Sequence, residues 1–524
     1  MNFLAKKYYL IILVLFFISV LYLIHNASNI NEKNLSIFPS DKIKQTHILG
    51  IEREGLVSYI KDAVNHSWIA YEKYAWGKDE VLVLSQRGTR WMDSALTLID
   101  SLDTLLLAQF DEEFKRAEDY YTKNIRFKSN NDHNNLFETT IRILGGLISI
   151  YEFKKDPEVF KEIELLAGKL SHAFETNSGI PFSDVNLLKG VGHQASWTSL
   201  CSLAEMSSVQ LEFNEVSRLT GNYNFTKLSM KTIAVLLEQQ KKHGNFILPI
   251  MVDCKTGNVD RNSPVSLGSR GDSFYEYLLK VWVQTGKTSV QLKNAYINSI
   301  EEIKTRLTKR SYPNNYLFIG EYLSGSVFSP KMDHLVCFLP GTLAFGQFHG
   351  MPKEHLDFAK DLMVSCYQLY NQTVTGLAPE IVFWNTNPSE SNRDFTIKPR
   401  DAFNKLRPET VESLFYLYRI TKDPKYKDWA WKIFKAFKKY CKVEPYGYAG
   451  IDNVDSINHE KIDKMESFWF AETLKYFLLI FDDEAYSKVS LDKWIFNTEG
   501  HPMRLTDRSS EINKWKRAID SVFV

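Results

Sequence analysis

Four apolar, helix-like segments of this chain carry carboxylates, although an ionised carboxylate buried without a partner is strongly destabilising. The segments span residues 136–146, 271–282, 406–418 and 465–481 and are rich in large apolar and aromatic side chains. Because they lie far apart in sequence, we expect the fold to gather their acids in one place. Clustered carboxylates serve proton transfer, metal binding or hydrogen bonding to sugars. The acids are Glu138, Asp272, Glu409, Glu412, Glu466 and Glu472.

The alternative is that each segment is an amphipathic helix whose acids lie on the solvent-exposed face. Any single segment fits that alternative well. The recurrence of the same pattern in four segments favours the cluster.

Between about residues 50 and 500 the apolar pattern has a helical period near 3.6. Stop signals such as Thr220-Gly221-Asn222 and Lys422-Asp423-Pro424 separate the helices. The similar helix ends predict repeated helical hairpins rather than alternating strands and helices. The chain has no glycine-rich phosphate loop, no GxSxG and no HExxH sequence.

Charge and cysteine usage exclude several classes of protein. The formal net charge is +1, which argues against nucleic acid as a partner. Five cysteines in 524 residues are too few for a disulfide scaffold, and their spacing does not suggest zinc.

The N-terminus predicts a membrane anchor. Lys6 and Lys7 precede an apolar run at residues 8–24, near the lower length limit for a helix that spans a bilayer. We therefore expect a cytoplasmic tail (1–7), a transmembrane signal anchor (8–24), a polar lumenal stem (25–48) and single-pass type II topology. Sequons at Asn65, Asn224 and Asn371 are compatible with a lumenal position for the rest of the chain.

Three of the acids have local settings that suggest chemistry. Pro408 suits the first turn of a helix, which places Glu409 at a helix N-terminus that favours an ionised carboxylate, as a general base requires. Glu138 and Arg142 are spaced i, i+4, where the alternative is a surface ion pair. Asp272 begins a helix after a Ser/Gly-rich loop, where the alternative is a helix N-cap.

Seven segments in order resemble the class I α-1,2-mannosidases, glycoside hydrolase family 47, over roughly residues 50–503. They read LFETTIRILGG, SDVNL, SLGSRGDSFYEYLLK, HLVCFLPG, LRPETVESLFYLYR, ESFWFAETLKY and FNTEGHP. The resemblance implies an all-α fold: an (α/α)7 barrel catalytic domain at 49–504, behind the N-terminal transmembrane signal anchor. Residues 505–524 lie outside the match and are expected to be a C-terminal appendage.

In this family the acids line the barrel and the enzymes are calcium-dependent and invert the anomeric carbon. The resemblance implies Glu138 as general acid acting through a water, Glu409 as base and Asp272 as a third essential acid. It implies Thr498 as direct ligand of Ca²⁺ and Glu499 as a ligand through water, and oxygen donors suit calcium better than zinc. The implied substrate contacts are Arg142, Glu205, Arg270, Asp333, His334, Arg407, Glu412, Phe468 and Glu472.

The implied substrate is the high-mannose N-glycan of glycoproteins, trimmed at terminal α-1,2-linked mannose. Family members of the endoplasmic-reticulum type carry Arg at position 270, which implies loss of one mannose, from nine to eight, on the middle branch. The implied location is the endoplasmic reticulum membrane, with the Golgi as the other candidate. A disulfide between Cys337 and Cys366 is also implied, leaving Cys201, Cys254 and Cys441 free.

Two alternatives share the fold. One is a lectin-like quality-control factor that binds mannose with little catalysis, and the other is a Golgi-type enzyme that trims to five mannoses. The presence of Glu138, Asp272, Glu409 and Thr498 favours an active enzyme. Departures from the family pattern are small: Gly271 and Gly500 stand where Ala is frequent.

Overall fold

The computed structural model describes residues 53–124, 127, 134–195, 198–324, 327–389 and 392–523. The predicted tail (1–7), anchor (8–24) and stem (25–48) lie outside the described residues. Within these ranges, no helix combines the length and the apolar character needed to cross a bilayer.

Helices dominate the described part of the chain, as the sequence predicts. They are α1 (Arg53–Tyr74), α2 (Leu96–Leu107), α3 (Asp111–Asn124), α4 (Leu136–Glu138), α5 (Gly145–Lys154), α6 (Pro157–Leu170), α7 (Leu203–Ser207), α8 (Gln210–Thr220), α9 (Asn224–His243), α10 (Asp272–Gln284), α11 (Val290–Glu302), α12 (Leu339–Phe348), α13 (Glu354–Asn371), α14 (Glu409–Thr421), α15 (Pro424–Tyr440), α16 (Lys475–Phe481), α17 (Asp483–Lys488) and α18 (Ser509–Asp520).

The strands are short and every pairing between them is antiparallel, within the ranges given above. Two-stranded sheets are β1 (Glu80–Leu82) with β2 (Arg87–Thr89), β6 (Leu200–Ser202) with β7 (Met251–Asp253), β8 (Thr308–Arg310) with β9 (Leu317–Ile319), β10 (Glu321–Leu323) with β11 (Val327–Ser329), and β15 (Trp494–Phe496) with β16 (Pro502–Arg504). Three-stranded sheets join β3 (Asn134–Asn135), β4 (Asp184–Asn186) and β5 (Val191–His193), and β12 (Lys331–Asp333), β13 (Ile381–Trp384) and β14 (Phe395–Thr396).

The helices pack as hairpins, which the repeated stop signals predict. The hairpins are α2 with α3, α5 with α6, α8 with α9, α10 with α11, α12 with α13, and α14 with α15. A seventh pair joins α16 to α1, from opposite ends of the described chain. The first helix of each pair also contacts the first helix of the next pair. The succession closes because the helical segment Trp469–Leu474 that leads into α16 contacts α2.

The two helices of a hairpin differ in how much of their surface is buried. Almost every residue of α2 and α14 is buried, including acids, whereas α15 buries one stripe of large apolar side chains and exposes its lysines. Helix ends follow their sequence signals: Gly221 ends α8 in the left-handed conformation, and Asp423 caps α15 with Pro424 in its first turn.

Two helical segments at residues 136–154 and 469–481 contain a π-helical turn that the sequence does not predict. Residues Thr139–Leu144 join α4 to α5, and residues Trp469–Leu474 lead into α16. A π-helical turn inserts an extra residue and redirects the side chains next to it, and such turns are frequent at functional sites. Both turns lie within apolar segments that carry acids.

The described cysteines form two disulfides. The predicted Cys337–Cys366 bond is confirmed, with the two Cα atoms 5.7 Å apart. The prediction that Cys201 and Cys254 are free is wrong, since they are bonded to each other with a Cα separation of 5.6 Å. Cys201 lies opposite Val252 in the antiparallel β6–β7 pair, and the turn after β7 brings Cys254 back to it. Cys441 is buried and free.

The C-terminal segment folds onto the rest of the chain. Helix α18 buries Trp515, Ala518 and Ile519, and Trp515 donates through Nε1 to the carbonyl oxygen of Asn214 at 3.1 Å. The segment expected to be a C-terminal appendage therefore forms a helix that packs against α9.

Candidate active site

The acids of all four apolar segments meet at one cavity of about 320 Å³. Glu466 is the exception, because its carboxylate pairs with Lys464 at 3.0 Å and does not line the cavity. Most of the residues predicted for the site line this cavity. They are Glu138, Arg142, Glu205, Arg270, Asp272, Arg407, Glu409, Glu412, Phe468, Glu472, Thr498 and Glu499.

Glu409 is the first residue of α14, at a helix N-terminus as the sequence predicts, and Pro408 stands at the cap position instead of in the first turn. Its Oε2 accepts a hydrogen bond from Nδ1 of His334 at 2.7 Å, and its Oε1 lies 3.8 Å from Nη1 of Arg407. Burial by itself raises the pKa of this carboxyl, but the hydrogen bond from His334 and the Arg407 charge outweigh it and hold the pKa below its ordinary value. Glu409 is therefore ionised at neutral pH.

His334 and Asp333 lie behind the cavity wall rather than on it. His334 is buried between Glu409 and the hydroxyl groups of Tyr370 and Thr410. Asp333 accepts from the backbone N–H of Ser269 at 3.1 Å and pairs with Lys331 at 2.7 Å. In the structure both residues support neighbours of the site instead of facing the space that a sugar would occupy.

Asp272 is the first residue of α10, and Gly271, not Asp272, stands at the cap position. The Asp272 carboxylate accepts from the backbone N–H of Ser273 at 2.7 Å. Burial raises the pKa of Asp272 to about 7, helped by the charges of Glu276 and Glu409. A Cβ at Gly271 would lie 2.0 Å from the carbonyl oxygen of Ser266, so the Ala frequent in the family cannot be accommodated in this loop conformation.

Arg142 is clamped among carboxylates at the cavity wall. It donates through Nε to Glu138 at 2.7 Å and through Nη1 to Glu499 at 2.5 Å, and Nη1 lies 3.6 Å from Asp100. Its side chain is 13% exposed, which excludes the alternative of a surface ion pair. Behind it, His501 bridges Asp100 and Asp103 at 3.0 and 2.8 Å, so Arg142 rests on a buried charged network.

Thr498 and Glu499 reach the cavity on the turn between β15 and β16. Asn497 fixes this turn: its Oδ1 accepts from the backbone N–H groups of Glu499 and His501, and its Nδ2 donates to the carbonyl oxygen of Ile141. Gly500 has a φ of +71°, a left-handed conformation that Gly adopts without the strain that a side chain would bring.

The donor set around Thr498 suits a hard divalent cation. Burial and mutual repulsion raise the pKa of Glu472 and Glu499 well above their ordinary range and that of Glu412 to about 8. A bound cation would relieve this repulsion, and all the donors are oxygens, as Ca²⁺ prefers. Across the described ranges, no group of three His, Cys, Asp or Glu side chains is arranged to hold a metal alone.

A second cavity of about 330 Å³ adjoins the first. The two share Ser202, Glu205 and Arg270 in their walls, and Trp91 lies at the outer one. Arg270 has a φ of +74°, on the loop that precedes α10. It therefore stands at the boundary between the two spaces.

Sequence reasoning missed several residues of the site. Glu276 lines the cavity one turn after Asp272 and is paired with the fully buried Lys280. The i, i+4 spacing of Glu276 and Lys280 in an apolar run is the same signal that singled out Glu138 and Arg142. Asn497 lies within the FNTEGHP segment, but its anchoring role depends on the distant Ile141 and carries no local signal.

The glycosyl hydrolase family 47 pattern matches residues 63–505. The chain belongs to glycosyl hydrolase family 47. A family 47 relative from Rattus norvegicus, named endoplasmic reticulum mannosyl-oligosaccharide 1,2-alpha-mannosidase, is 46% identical over 443 residues, covering 84% of this chain and 67% of its own. The Homo sapiens protein of the same name is 46% identical over 444 residues, covering 84% of this chain and 63% of its own. The chain thus spans about two thirds of the length of these mammalian relatives.

The fold agrees with a solved family 47 relative. The alpha-1,2-mannosidase from Trichoderma reesei superposes with a TM-score of 0.79 and 29% sequence identity, covering 86% of this chain and 99% of its own. Family membership makes the chain a glycosidase. The resemblance seen in the sequence is confirmed.

Proposed function

We propose that this chain hydrolyses terminal α-1,2-linked mannose from high-mannose N-glycans of glycoproteins, with calcium and with inversion at the anomeric carbon. Its family and the names of its relatives support the substrate class. One observation carries the chemistry: a single cavity contains Glu409, whose pKa is lowered, and Asp272, whose pKa is raised.

We propose that the seven helix pairs form an (α/α)7 barrel. The closed succession of contacts supports it, because the first helix of each pair would form the inner ring and the second helix the outer ring. The β15–β16 turn would then close one end of the ring beneath the cavity.

Environments that push two carboxyl pKa values apart create a base and an acid at the same pH. Ionised Glu409 is suited to take a proton from the water that attacks the anomeric carbon. Asp272 retains its proton up to near neutral pH and is suited to supply one towards the leaving oxygen. Glu138, held by Arg142, is the acid that the family resemblance implies, acting through a water, and the two acids would lie on one proton path.

Thr498 would hold the calcium ion directly and Glu499 through a water, with Glu412 and Glu472 beside them. When bound, the ion supplies positive charge and an attachment point for sugar hydroxyl groups. Phe468 offers an aromatic face in the cavity wall, and the guanidinium groups of Arg142 and Arg407 each lie 5.8 Å from its ring centre. This side of the cavity suits the apolar face of a mannose ring.

Arg270 and the second cavity would select the branch of the glycan. The first cavity has room for the mannose that is cleaved, and the adjoining space can take the sugars beyond it. An arginine offers five donors in a rigid fork, which can bridge several hydroxyl groups. We propose that this selection leaves a single product of eight mannoses, from the middle branch.

The relatives' names favour the endoplasmic reticulum. We propose a type II protein whose catalytic part is lumenal and whose anchor is residues 8–24. The charge pattern of the N-terminus supports this topology.

The test is digestion of a nine-mannose N-glycan by the full chain with calcium, with proton NMR of the first mannose released. We expect β-mannose, one eight-mannose isomer, and a loss of kcat of about 10²–10⁴-fold in Glu409→Gln. Glu466→Gln is the matched control, since this acid belongs to the same set of segments but does not line the cavity. Binding without cleavage would identify a lectin-like factor, and rapid trimming to five mannoses a Golgi-type enzyme.

A further inference from the structure

A chain of buried hydrogen bonds runs from Glu409 away from the cavity. Nδ1 of His334 lies 2.7 Å from Oε2 of Glu409, and Nε2 of His334 lies 2.9 Å from the hydroxyl oxygen of Tyr370. The hydroxyl oxygen of Thr410 lies 3.0 Å from the same Nε2. His334 and Tyr370 are 2% and 1% exposed, and neither lines the cavity. The hydrogen-bonded route from Tyr370 to the Glu409 carboxylate therefore passes through His334.

The directions of these bonds follow from Glu409. An ionised carboxylate only accepts hydrogen bonds, so Nδ1 of His334 must carry the proton that it donates. In the neutral imidazole, Nε2 is then an acceptor and needs a donor, which Tyr370 can provide. The Thr410 hydroxyl group can either donate to Nε2 or accept from it, so it does not by itself select a tautomer. Without the Tyr370 hydroxyl group, the proton can move to Nε2 and be donated to Thr410. An Nδ1 lone pair would then face the carboxylate and favour protonation of Glu409.

The Cys337–Cys366 disulfide joins the two segments that carry this hydrogen bond. Cys337 follows His334 by three residues in the same turn, His334–Phe338. Cys366 precedes Tyr370 by four residues on α13 and therefore lies on the same helix face. The bond thus fixes the turn with His334 against the helix face that carries Tyr370.

A further contact ties the turn to the helix of the base. Ser413 follows Glu409 by four residues on α14, and its hydroxyl group donates to the carbonyl oxygen of Cys337 and accepts from the backbone N–H of Gly341. The turn, α13 and α14 are therefore linked beside the hydrogen-bonded chain at fixed spacing.

We propose that Tyr370 is a positioning residue for Glu409, acting through the tautomer of His334, and that the Cys337–Cys366 disulfide holds Tyr370 and His334 in register. The inference rests on the proposed role of Glu409 as the base. It gives the disulfide a task in turnover besides its contribution to stability.

The experiment compares wild type with Tyr370→Phe as full chains with calcium, on the nine-mannose glycan. We expect kcat to fall about 10-fold or more with KM within twofold, and the acid limb of the pH profile of kcat/KM to move to higher pH. Tyr296→Phe is the matched control: Tyr296 is buried, its ring meets that of His355 at 5.6 Å, and its hydroxyl group has no partner among the described residues. It should change neither quantity.

The paired variant Cys337→Ser/Cys366→Ser should show the same loss of kcat, and adding Tyr370→Phe to it should cost less than it does in wild type. If the paired variant does not fold, the comparison of wild type with Tyr370→Phe decides alone. Wild-type kcat and pH profile in Tyr370→Phe, or a change in KM alone, would overturn the inference. Glu409→Gln separates the two proposals: if it retains turnover, the base is misassigned; if it loses turnover while Tyr370→Phe does not, only this inference fails.

Discussion

Nε of Arg142 donates to Oε2 of Glu138 at 2.7 Å, and the same guanidinium reaches Glu499 on the β15–β16 turn. One side chain thus joins an early helix to the last hairpin of the chain. Asp100 lies 3.6 Å from the same guanidinium, so three carboxylates surround this one cation.

Arg142→Met is therefore expected to destabilise the fold by about 3–5 kcal/mol, since it leaves buried carboxylates uncompensated. Urea unfolding monitored by circular dichroism measures the loss. Arg116→Met is the control, because Arg116 pairs with Glu72 at the surface with 50% exposure and should change stability by less than about 1 kcal/mol. Equal losses in the two variants would contradict the buried network.

Both disulfides should be present in protein made in an oxidising compartment. Peptide mapping without reduction should find Cys201 with Cys254 and Cys337 with Cys366, with Cys441 alone alkylated after denaturation. Replacing either pair by serine should cost about 4 kcal/mol in the chain-entropy model. A free thiol at Cys201 in active protein would disprove the second bond.

Asp272→Asn should stabilise the protein in a pH-dependent way when calcium is chelated. The pKa of Asp272 is raised to about 7 in the folded chain, so between its unfolded pKa and 7 the folded state binds more protons and loses stability as pH rises. The Asp272→Asn variant has no carboxyl group at this position and does not lose stability in this way. The free energy of unfolding of the variant should equal that of wild type at about pH 4 and exceed it by roughly 2–4 kcal/mol at about pH 7. Above that pH the difference should stay level. A constant difference across that range in urea titrations would rule out the raised pKa.

Calcium should stabilise the folded chain by mass action. The free energy of unfolding should rise by about 2.7 kcal/mol when the ion is at a hundredfold excess over Kd, which shifts the unfolding temperature upward. Chelation should abolish turnover. Thr498→Ala should lose the shift. Thr506→Ala should keep it, because Thr506 follows the same hairpin but bonds to Glu511 away from the cavity. Full activity after exhaustive chelation would remove the ion from the proposal.

Arg270→Leu should relax the choice of branch. Without the guanidinium at the boundary of the two cavities, other branches can enter and more than one mannose should be lost. Arg270→Lys keeps the positive charge but not the planar guanidinium group with its five donors. The number of mannoses it releases should lie between those of wild type and Arg270→Leu. A time course of glycan products resolves the isomers. If Arg270→Leu yields the same single isomer at the wild-type rate, Arg270 does not select the glycan branch.

The sequence predicted those parts of the site that depend on local order. Pro408 placed Glu409 at a helix start, and four apolar runs with acids predicted one cluster, which the cavity confirms for all but Glu466. The helical hairpins followed from periodicity and stop signals. Each of these features is decided within about one or two helical turns.

Features that depend on tertiary contact could not be predicted from the sequence. The π-helical turns before Gly145 and Lys475 add residues without a propensity signal. The Cys201–Cys254 bond depends on two strands of three residues each, too short for periodicity to reveal. His334 belongs to a motif of the site, but its side chain turns away because Glu409 and Tyr370 offer it partners on both sides.

The β15–β16 turn has a consequence for synthesis. Glu138 and Thr498 are separated by 360 positions (498 − 138), and both line one cavity. During synthesis the residues proposed as base and acids are therefore made well before Asn497 can anchor the turn to Ile141. A premature stop codon ahead of position 497 removes Thr498 and Glu499 together with the anchor. Such a truncated chain retains every predicted catalytic acid and is nevertheless expected to be inactive.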